Sequence, residues 1–228
     1  MKLLEFIYGS DYHRLLREEL IVIRSHKREI WALAVLMNVI VTGGAVAFWP
    51  LNQCFSYFTD WTMWMTFVQV LFMFWSARKQ HINNHPGWLA FTHSAYTVCL
   101  ICNVIVVIIY WSLLHEKTLL RHEGNIGRTY HTYISHSFPC ISILLVYWIN
   151  EIRLHVPHWK GLNLIGLFYG ICNYLNWKKT GVVLYPFLDW ADNRAYFNIV
   201  LLAAVFSGIY VGIAKASYWL KPIHTKVH

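Results

Sequence analysis

Six runs of mostly apolar residues, each about as long as a bilayer is thick, constrain this chain more than any other feature. They cover residues 30–49, 60–77, 88–114, 129–149, 161–177 and 195–217. A helix of about 20 apolar residues crosses the hydrocarbon core of a bilayer. In lipid, only helices and closed barrels satisfy their own backbone groups. The sequence therefore predicts an all-α fold, a polytopic membrane bundle of six transmembrane helices.

Composition supports this class and excludes others. The chain of 228 residues is 57% hydrophobic and only 13% charged, whereas an ordinary soluble domain is about 25% charged. Its net charge of +8 would suit nucleic acid only on a basic soluble module. The sequence offers no such module. We therefore predict membrane lipids as partners and no nucleic acid.

The first residues form an amphipathic segment. Within 11–28, one helical face carries Tyr12, Leu15, Leu16, Leu20 and Ile23, and the arginines lie mostly opposite. A helix of this kind lies in the membrane interface or docks on a partner protein. We therefore divide the chain into an N-terminal interfacial or partner-docking segment at 1–28, a transmembrane domain at 29–217 and a short basic tail at 218–228.

Polar and small residues recur at helical spacing inside the apolar runs. The second run carries Thr59, Thr62, Thr66 and Gln69 at intervals of three, four and three, which is one face of a helix. Polar side chains in a membrane turn toward the protein interior, so this face predicts a polar bundle core.

Pairs of glycines four residues apart occur in the last two runs. They are Gly166 with Gly170 and Gly208 with Gly212. Small residues at this spacing let the backbone of another helix approach closely. The sequence predicts tight helix–helix contacts at both pairs.

His136 and Pro139 interrupt the fourth run. Pro139 cannot bond the carbonyl of Ser135, so it predicts a kink. Thr66 lies six residues after Asp60 and His136 seven after Thr129, which places both roughly 9–11 Å below the outer boundary at 1.5 Å per residue. A threonine hydroxyl beside a neutral histidine is a nucleophile–base pair. The alternative is an interhelical hydrogen bond without chemistry.

Four stretches follow one another in a recognisable order: FTDWTMWMTFVQVLF at 58–72, His136 with its apolar run, LFYGICNYLNW at 167–177 and YPFLDW at 185–190. Over about 57–191 they resemble the androgen-induced and rolling-stone family of six-span membrane proteins. The androgen-induced branch implies an intramembrane hydrolase that cleaves fatty-acid esters of hydroxy fatty acids. By this resemblance Thr66 is the nucleophile and His136 the base, with Thr62 as the alternative nucleophile.

Two functions stay open. Twelve tryptophans and fourteen tyrosines suit contacts at membrane interfaces and between subunits. We therefore expect an accessory or scaffolding subunit of a larger membrane complex, such as a respiratory complex of the mitochondrial inner membrane, with other subunits as partners and no enzymatic activity. The alternative is the lipid-ester hydrolase, with Gln69, Asn173 and Asp189 lining its substrate or lipid cavity.

No cofactor or metal is predicted. A haem held by two histidines would need them at matched depths. His93 falls near the inner end of the third run, whereas His131 and His136 fall toward the outer side of the fourth.

The lysines and arginines predict the direction of the bundle, because basic residues concentrate in cytoplasmic loops. With the N-terminus inside, the 19 basic residues divide into 13 inside and 6 outside, the six being Lys117, Arg121, Arg128, Lys178, Lys179 and Arg194. Both termini should therefore face the cytoplasm or matrix. A protease added from that side should remove a tag placed after His228. Cleavage only from the opposite side would show that the bundle has the opposite orientation.

Overall fold

The computed structural model describes residues 28–50, 54–78, 86–122, 124–150 and 152–221. Most of these residues are helical, and none of them forms a strand. The α-helices are α1 (Arg28–Phe48), α2 (Phe58–Arg78), α3 (Pro86–Ile109), α4 (His115–Arg121), α5 (Ile126–Ser135), α6 (Phe138–Ile149), α7 (Trp159–Thr180) and α8 (Arg194–Leu220). A π-helical turn, Tyr110–Leu114, joins α3 to α4, and short 3-10 turns occupy Val156–His158 and Pro186–Leu188.

Four of these helical stretches are long and apolar enough to cross a membrane: Arg28–Phe48, Ala90–Arg121, Ile126–Ile149 and Arg194–Leu220. The sequence predicted six spans, and its second and fifth correspond to α2 and α7. These two helices have 21 and 22 residues, but their polar residues leave them outside the four. The predicted interfacial helix lies outside the described residues except for Arg28, and so does the tail beyond Lys221.

The third helix is the centre of the bundle. It packs against α2, α6 and α7, while α1 packs against α6 and α2, and α8 packs mainly against α7. Tyr96 of α3 is fully buried and donates its hydroxyl to the carbonyl of Ile143 in α6 at 3.0 Å. The outer surface of α8 is apolar: Phe197 and Val200 are each 68% exposed, as expected for side chains that face lipid.

The polar faces turn inward, as the sequence predicted. Asn38 of α1 donates to Ser142 Oγ of α6 at 2.8 Å, and Gln69 of α2 donates to the carbonyl of Thr92 in α3 at 2.9 Å. Each bond joins two helices whose packing buries both groups. Measured interhelical bonds of this kind contribute about 0.6 kcal/mol on average, so they position the helices more than they stabilise them.

The prediction of close helix–helix contacts at the two glycine pairs is wrong. A Cβ placed on Gly166, Gly208 or Gly212 would meet nothing within 4 Å. Close approaches occur instead at Gly44 of α1, where a Cβ would lie 2.6 Å from Cδ2 of His131, and at Gly127 of α5, where it would lie 2.9 Å from Cε1 of Phe48. His131 is buried beside Gly44 between the indole nitrogen of Trp49 and the carbonyl of Val41, and the imidazole needs the space that glycine leaves.

The connection between α6 and α7 is anchored to α8 and α3. The backbone nitrogen of Leu154 donates to Ser217 Oγ at 3.1 Å, and the Tyr210 hydroxyl donates to the carbonyl of His155 at 3.0 Å. His158, fully buried at the start of α7, bonds Thr97 Oγ1 through Nδ1 at 2.8 Å. Burial, and the neighbouring His155, lower the pKa of His158 to about 3.

We expect His158 to make the fold sensitive to acid. Its pKa is about 6.5 when unfolded and lower when folded, so below about pH 6.5 the unfolded chain binds a proton that the folded chain excludes. Stability should therefore fall with decreasing pH by up to about 1.4 kcal/mol per pH unit from this group. Thermal unfolding in detergent at pH 7.5 and 5.5 should show a larger difference in the wild type than in His158→Gln. An equal difference in both proteins would contradict this origin.

Candidate functional site

A cavity of about 300 Å³ lies between α3, α7 and α8 and reaches the first turn of α2. Its walls are mainly apolar side chains, among them Ile105, Val106, Ile199, Leu202 and Phe206. The volume is at the small end of the range for ligand pockets. Two polar side chains, Thr59 at the start of α2 and His136 between α5 and α6, meet at its wall, and they define the candidate site.

Thr59 and His136 are hydrogen-bonded across two helical segments. Thr59 Oγ1 lies 3.2 Å from His136 Nε2, and His136 Nδ1 lies 2.8 Å from the carbonyl oxygen of Thr132. A carbonyl only accepts, so Nδ1 carries the hydrogen of the neutral ring and Nε2 presents its lone pair. The Thr59 hydroxyl therefore donates to Nε2. A hydroxyl, a base and a group that orients the base make up a nucleophile-activating arrangement.

Pro139 creates the backbone that allows this geometry. The fourth apolar run is broken into α5, which ends at Ser135, and α6, which begins at Phe138. His136 lies in the break with φ −93° and ψ −1°. There its backbone N–H and its Nδ1 both point back to the carbonyl of Thr132, at 3.2 and 2.8 Å. The helix is interrupted just before Pro139, where the sequence predicted a kink, and this interruption positions the imidazole.

The ring of Tyr110 covers one face of the imidazole. Its ring is stacked on His136 with centroids 3.7 Å apart and planes 20° apart. Tyr110 opens the π-helical turn between α3 and α4, and its hydroxyl lies 3.2 Å from Nδ1 of His115. Single π turns are frequent at functional sites because they reorient one side chain within a helix. The fixed ring limits the rotation of His136.

The YPFLDW segment closes the end of the cavity near Thr59. The Tyr185 hydroxyl accepts the backbone N–H of Phe58 at 2.9 Å, and Trp190 donates its indole N–H to Asn173 Oδ1 of α7 at 2.7 Å. Tyr185 and Leu188 line the cavity. Burial raises the pKa of the Tyr185 hydroxyl well above its usual range, so it stays protonated. The segment thus fixes the first turn of α2, which carries Thr59.

The predicted pairing of Thr66 with His136 is corrected. Thr66 Oγ1 donates to the carbonyl of Thr62 at 2.6 Å and accepts from Asn103 Nδ2 at 2.7 Å. Thr62, the alternative nucleophile, donates to the carbonyl of Thr59 at 2.9 Å. Both hydroxyls use a backbone acceptor of the preceding turn and have no histidine partner. Thr59, Thr62 and Thr66 share one face, but Thr66 lies seven residues, or about 10 Å, further along α2.

The three residues predicted to line a cavity lie outside this one. Gln69 ties α2 to α3 through the carbonyl of Thr92. Asn173 bonds the Tyr169 hydroxyl at 3.4 Å and the indole of Trp190, so it supports the wall from behind. Asp189 accepts the backbone N–H of Ala191 in an exposed turn at 3.0 Å. Each has a structural partner that accounts for its polar group.

Two residues of the site were not selected from the sequence. Thr59 belongs to the predicted polar face of α2 and was available as a candidate. Tyr110 carried no signal, because a single extra residue in a helical turn leaves no mark in the hydrophobic pattern.

Among the described residues, no group of three or more histidine, cysteine, aspartate or glutamate side chains is placed to hold a metal ion.

Comparison with protein-family models, with curated proteins and with solved structures finds no match to this chain. Function is therefore inferred from the geometry of the site and from the residues of the chain.

The tautomer of His136 can be tested directly. Because Nδ1 faces a carbonyl, we expect Nδ1 to be protonated and Nε2 bare in the neutral ring. Nitrogen NMR of protein labelled in its histidines separates the two kinds of ring nitrogen, and His136→Gln identifies the signal. Thr59→Val should leave the tautomer unchanged, since Thr132 sets it. A protonated Nε2 would contradict this assignment, because the neutral ring would then have no nitrogen to accept the proton of the Thr59 hydroxyl.

Proposed function

We propose that this protein is an integral membrane hydrolase of lipid esters, with Thr59 as nucleophile and His136 as base. The observation that carries the proposal is the 3.2 Å contact between Thr59 Oγ1 and His136 Nε2 at the wall of an apolar cavity. A threonine hydroxyl is a weak nucleophile until a base takes its proton. An apolar cavity beside such a pair suits the acyl chain of a lipid.

The reaction follows from these two groups. His136 Nε2 takes the hydroxyl proton as Thr59 Oγ1 bonds to the carbonyl carbon of the ester. The tetrahedral intermediate then expels the alcohol, which leaves with the proton held by His136. Water, activated by the same nitrogen, cleaves the acyl-threonine and releases the carboxylic acid. The carbonyl of Thr132 holds the imidazole in the required tautomer throughout.

The substrate class comes from the resemblance to the androgen-induced branch, which implies fatty-acid esters of hydroxy fatty acids. The residues assigned to this chemistry differ in one from those predicted by the resemblance. His136 is retained as the base, and Thr59 replaces Thr66 as the nucleophile. The mainly apolar walls support an ester with a hydrocarbon chain.

Six membrane crossings, with both termini in the cytoplasm or matrix, complete the proposal. The 21 residues of α2 and the 22 of α7 extend about 31 and 33 Å at 1.5 Å per residue, enough for a hydrocarbon core about 30 Å thick. Their polar faces bond other helices: Gln69 reaches α3, and Asn163 of α7 donates to Ser207 Oγ of α8 at 2.7 Å. Such internal pairing lowers the cost of polar residues at membrane depth.

The accessory-subunit hypothesis and its mitochondrial setting stay predictions from the sequence. They placed partner contacts at residues 1–28 and 218–228, of which 1–27 and 222–228 lie outside the described residues. No feature of the described helices selects a partner subunit. The hydrolase, in contrast, has a specific pair of residues in its favour.

Matched threonine substitutions test the proposal. Thr59→Val and Thr66→Val each keep the side-chain shape and remove one hydroxyl. Thr59→Val and His136→Ala should abolish release of fatty acid from a synthetic fatty-acid ester of a hydroxy fatty acid, because nucleophile and base act as a unit. Thr66→Val should keep most of the activity, since Asn103 retains its bond to the carbonyl of Cys99.

A lipid-tailed fluorophosphonate, which reacts covalently with activated hydroxyls, gives a second measurement. Mass spectrometry should place the adduct on Thr59 in the wild type. An adduct on Thr66, or activity that is lost in Thr66→Val and kept in Thr59→Val, would identify Thr66 as the nucleophile instead. A wild-type protein without turnover or labelling would refute the hydrolase altogether.

A further inference from the structure

Gly166 and Gly170 lack the contacts that normally account for glycines in a membrane helix. Both lie in the interior of α7, where glycine makes a helix less stable than alanine would. Such glycines usually let a neighbouring helix approach closely. Here a Cβ on Gly166 would meet nothing within 4 Å, and one on Gly170 would meet only Cδ1 of Ile199 at an ordinary 3.9 Å. Helix packing therefore leaves both glycines unexplained.

Both glycines face the cavity. Leu162, Asn163, Gly166, Tyr169 and Gly170 all line it, and their spacing is that of one helical face. From Asn163 to Gly170 this face extends about 10 Å along the axis. The cavity is therefore elongated along α7, and the glycines keep its α7 side free of side chains.

The reactive pair lies at one end of this elongated space. Tyr169, beside Gly170, packs its ring on Phe58 with centroids 5.1 Å apart, and its hydroxyl donates to the carbonyl of Ser56 at 3.0 Å. Phe58 precedes Thr59 in the chain, so Gly170 lies at the level of the reactive pair. Gly166 lies one helical turn further along, about 6 Å away. A chain attached to a carbonyl at Thr59 would pass Gly170 before Gly166.

The cavity also opens toward the surroundings of the bundle at Gly166. Gly166 and its neighbour Leu167 line the cavity and are exposed at the same time, Leu167 to 58%. In a membrane-spanning bundle that exposed surface meets lipid. Asn163 donates one N–H to Ser207, and the walls around it are mainly apolar, whereas an ordered water needs two to four polar partners. An apolar chain is the occupant that these walls suit.

We propose that the glycine face of α7 holds the acyl chain of the ester, which enters from the bilayer beside Gly166, and that Gly166 and Gly170 determine the chain length accepted. The placement of the ester carbonyl at Thr59 rests on the proposed function, whereas the binding of an acyl chain in the cavity does not. A larger side chain at Gly166 would shorten the space about one turn from Thr59. One at Gly170 would shorten it next to Thr59.

The test compares Gly166→Leu with Gly212→Leu, a matched control on α8. Gly212 also has open space around its Cβ position and lies on the exposed side of its helix, outside the cavity lining. With p-nitrophenyl palmitate and p-nitrophenyl butyrate, Gly166→Leu should lower the palmitate-to-butyrate ratio of kcat/KM by about tenfold or more, the effect of changing the fit of a few methylenes. Gly170→Leu should lower turnover of both esters, and Gly212→Leu should change neither.

A measurement without turnover separates this inference from the proposed function. A diazirine analogue of palmitic acid, activated by light in detergent-solubilised protein, should label residues of α7 or α8 in the wild type and in Thr59→Val. Labelling should fall by about tenfold in Gly166→Leu and persist in Gly212→Leu. Gly166→Ala adds one methyl group in open space and favours helix, so it should fold and give an intermediate effect even if the leucine variant does not.

The outcomes are distinguishable. Labelling that depends on Gly166 in a protein without esterase activity would support the acyl site and refute the hydrolase. Turnover that depends on Thr59 but keeps the same chain preference in Gly166→Leu and Gly166→Ala would support the hydrolase and refute the role of the glycines. Labelling that Gly166→Leu and Gly166→Ala leave unchanged would overturn the inference by itself.

Discussion

The break at Pro139 is the constraint on which the candidate site depends. Proline has no N–H to offer the preceding turn, and its ring clashes with the carbonyl four residues back, so α5 ends at Ser135 and α6 starts afresh at Phe138. His136 lies in the gap and turns its Nδ1 to the carbonyl of Thr132. The same carbonyl also accepts the backbone N–H of His136. The break thus positions the imidazole, and the carbonyl of Thr132 determines its tautomer.

The rest of the bundle holds the partner of this imidazole in place. Tyr185 accepts the N–H of Phe58 at the start of α2, where a helix has backbone donors without intrahelical acceptors. Trp190, five residues later, bonds Asn173 of α7. One short connection thus links the first turn of α2 to α7, and Thr59 is carried on that turn. The most distinctive stretch of the sequence acts through backbone anchoring and contributes Tyr185 and Leu188 to the cavity wall.

The sequence predicted much of the fold and the correct face of α2. Helical periodicity placed Thr59, Thr62, Thr66 and Gln69 on one side, and that side is turned into the protein, with Thr62, Thr66 and Gln69 buried. It placed an interruption of the fourth run near Pro139 and identified His136. It gave the wrong partner because the ends of the second and fourth apolar runs were taken to lie at the same level. Thr59 lies one residue after the start of α2 at Phe58, whereas His136 lies ten residues after the start of α5 at Ile126, and the two side chains are in contact. The two helix ends are therefore not level.

By itself, the sequence determined which segments are helical, which faces are polar and where the fourth run breaks. These properties are local, since they depend on residues within one or two turns of each other. Only the tertiary structure decided which threonine meets His136 and what Gly166 and Gly170 face. Seven residues make almost two full turns at 3.6 residues per turn, so sliding one helix by that amount presents the same face with a different threonine. Periodicity cannot distinguish these registers, and the packing of α2 against its neighbours selects one.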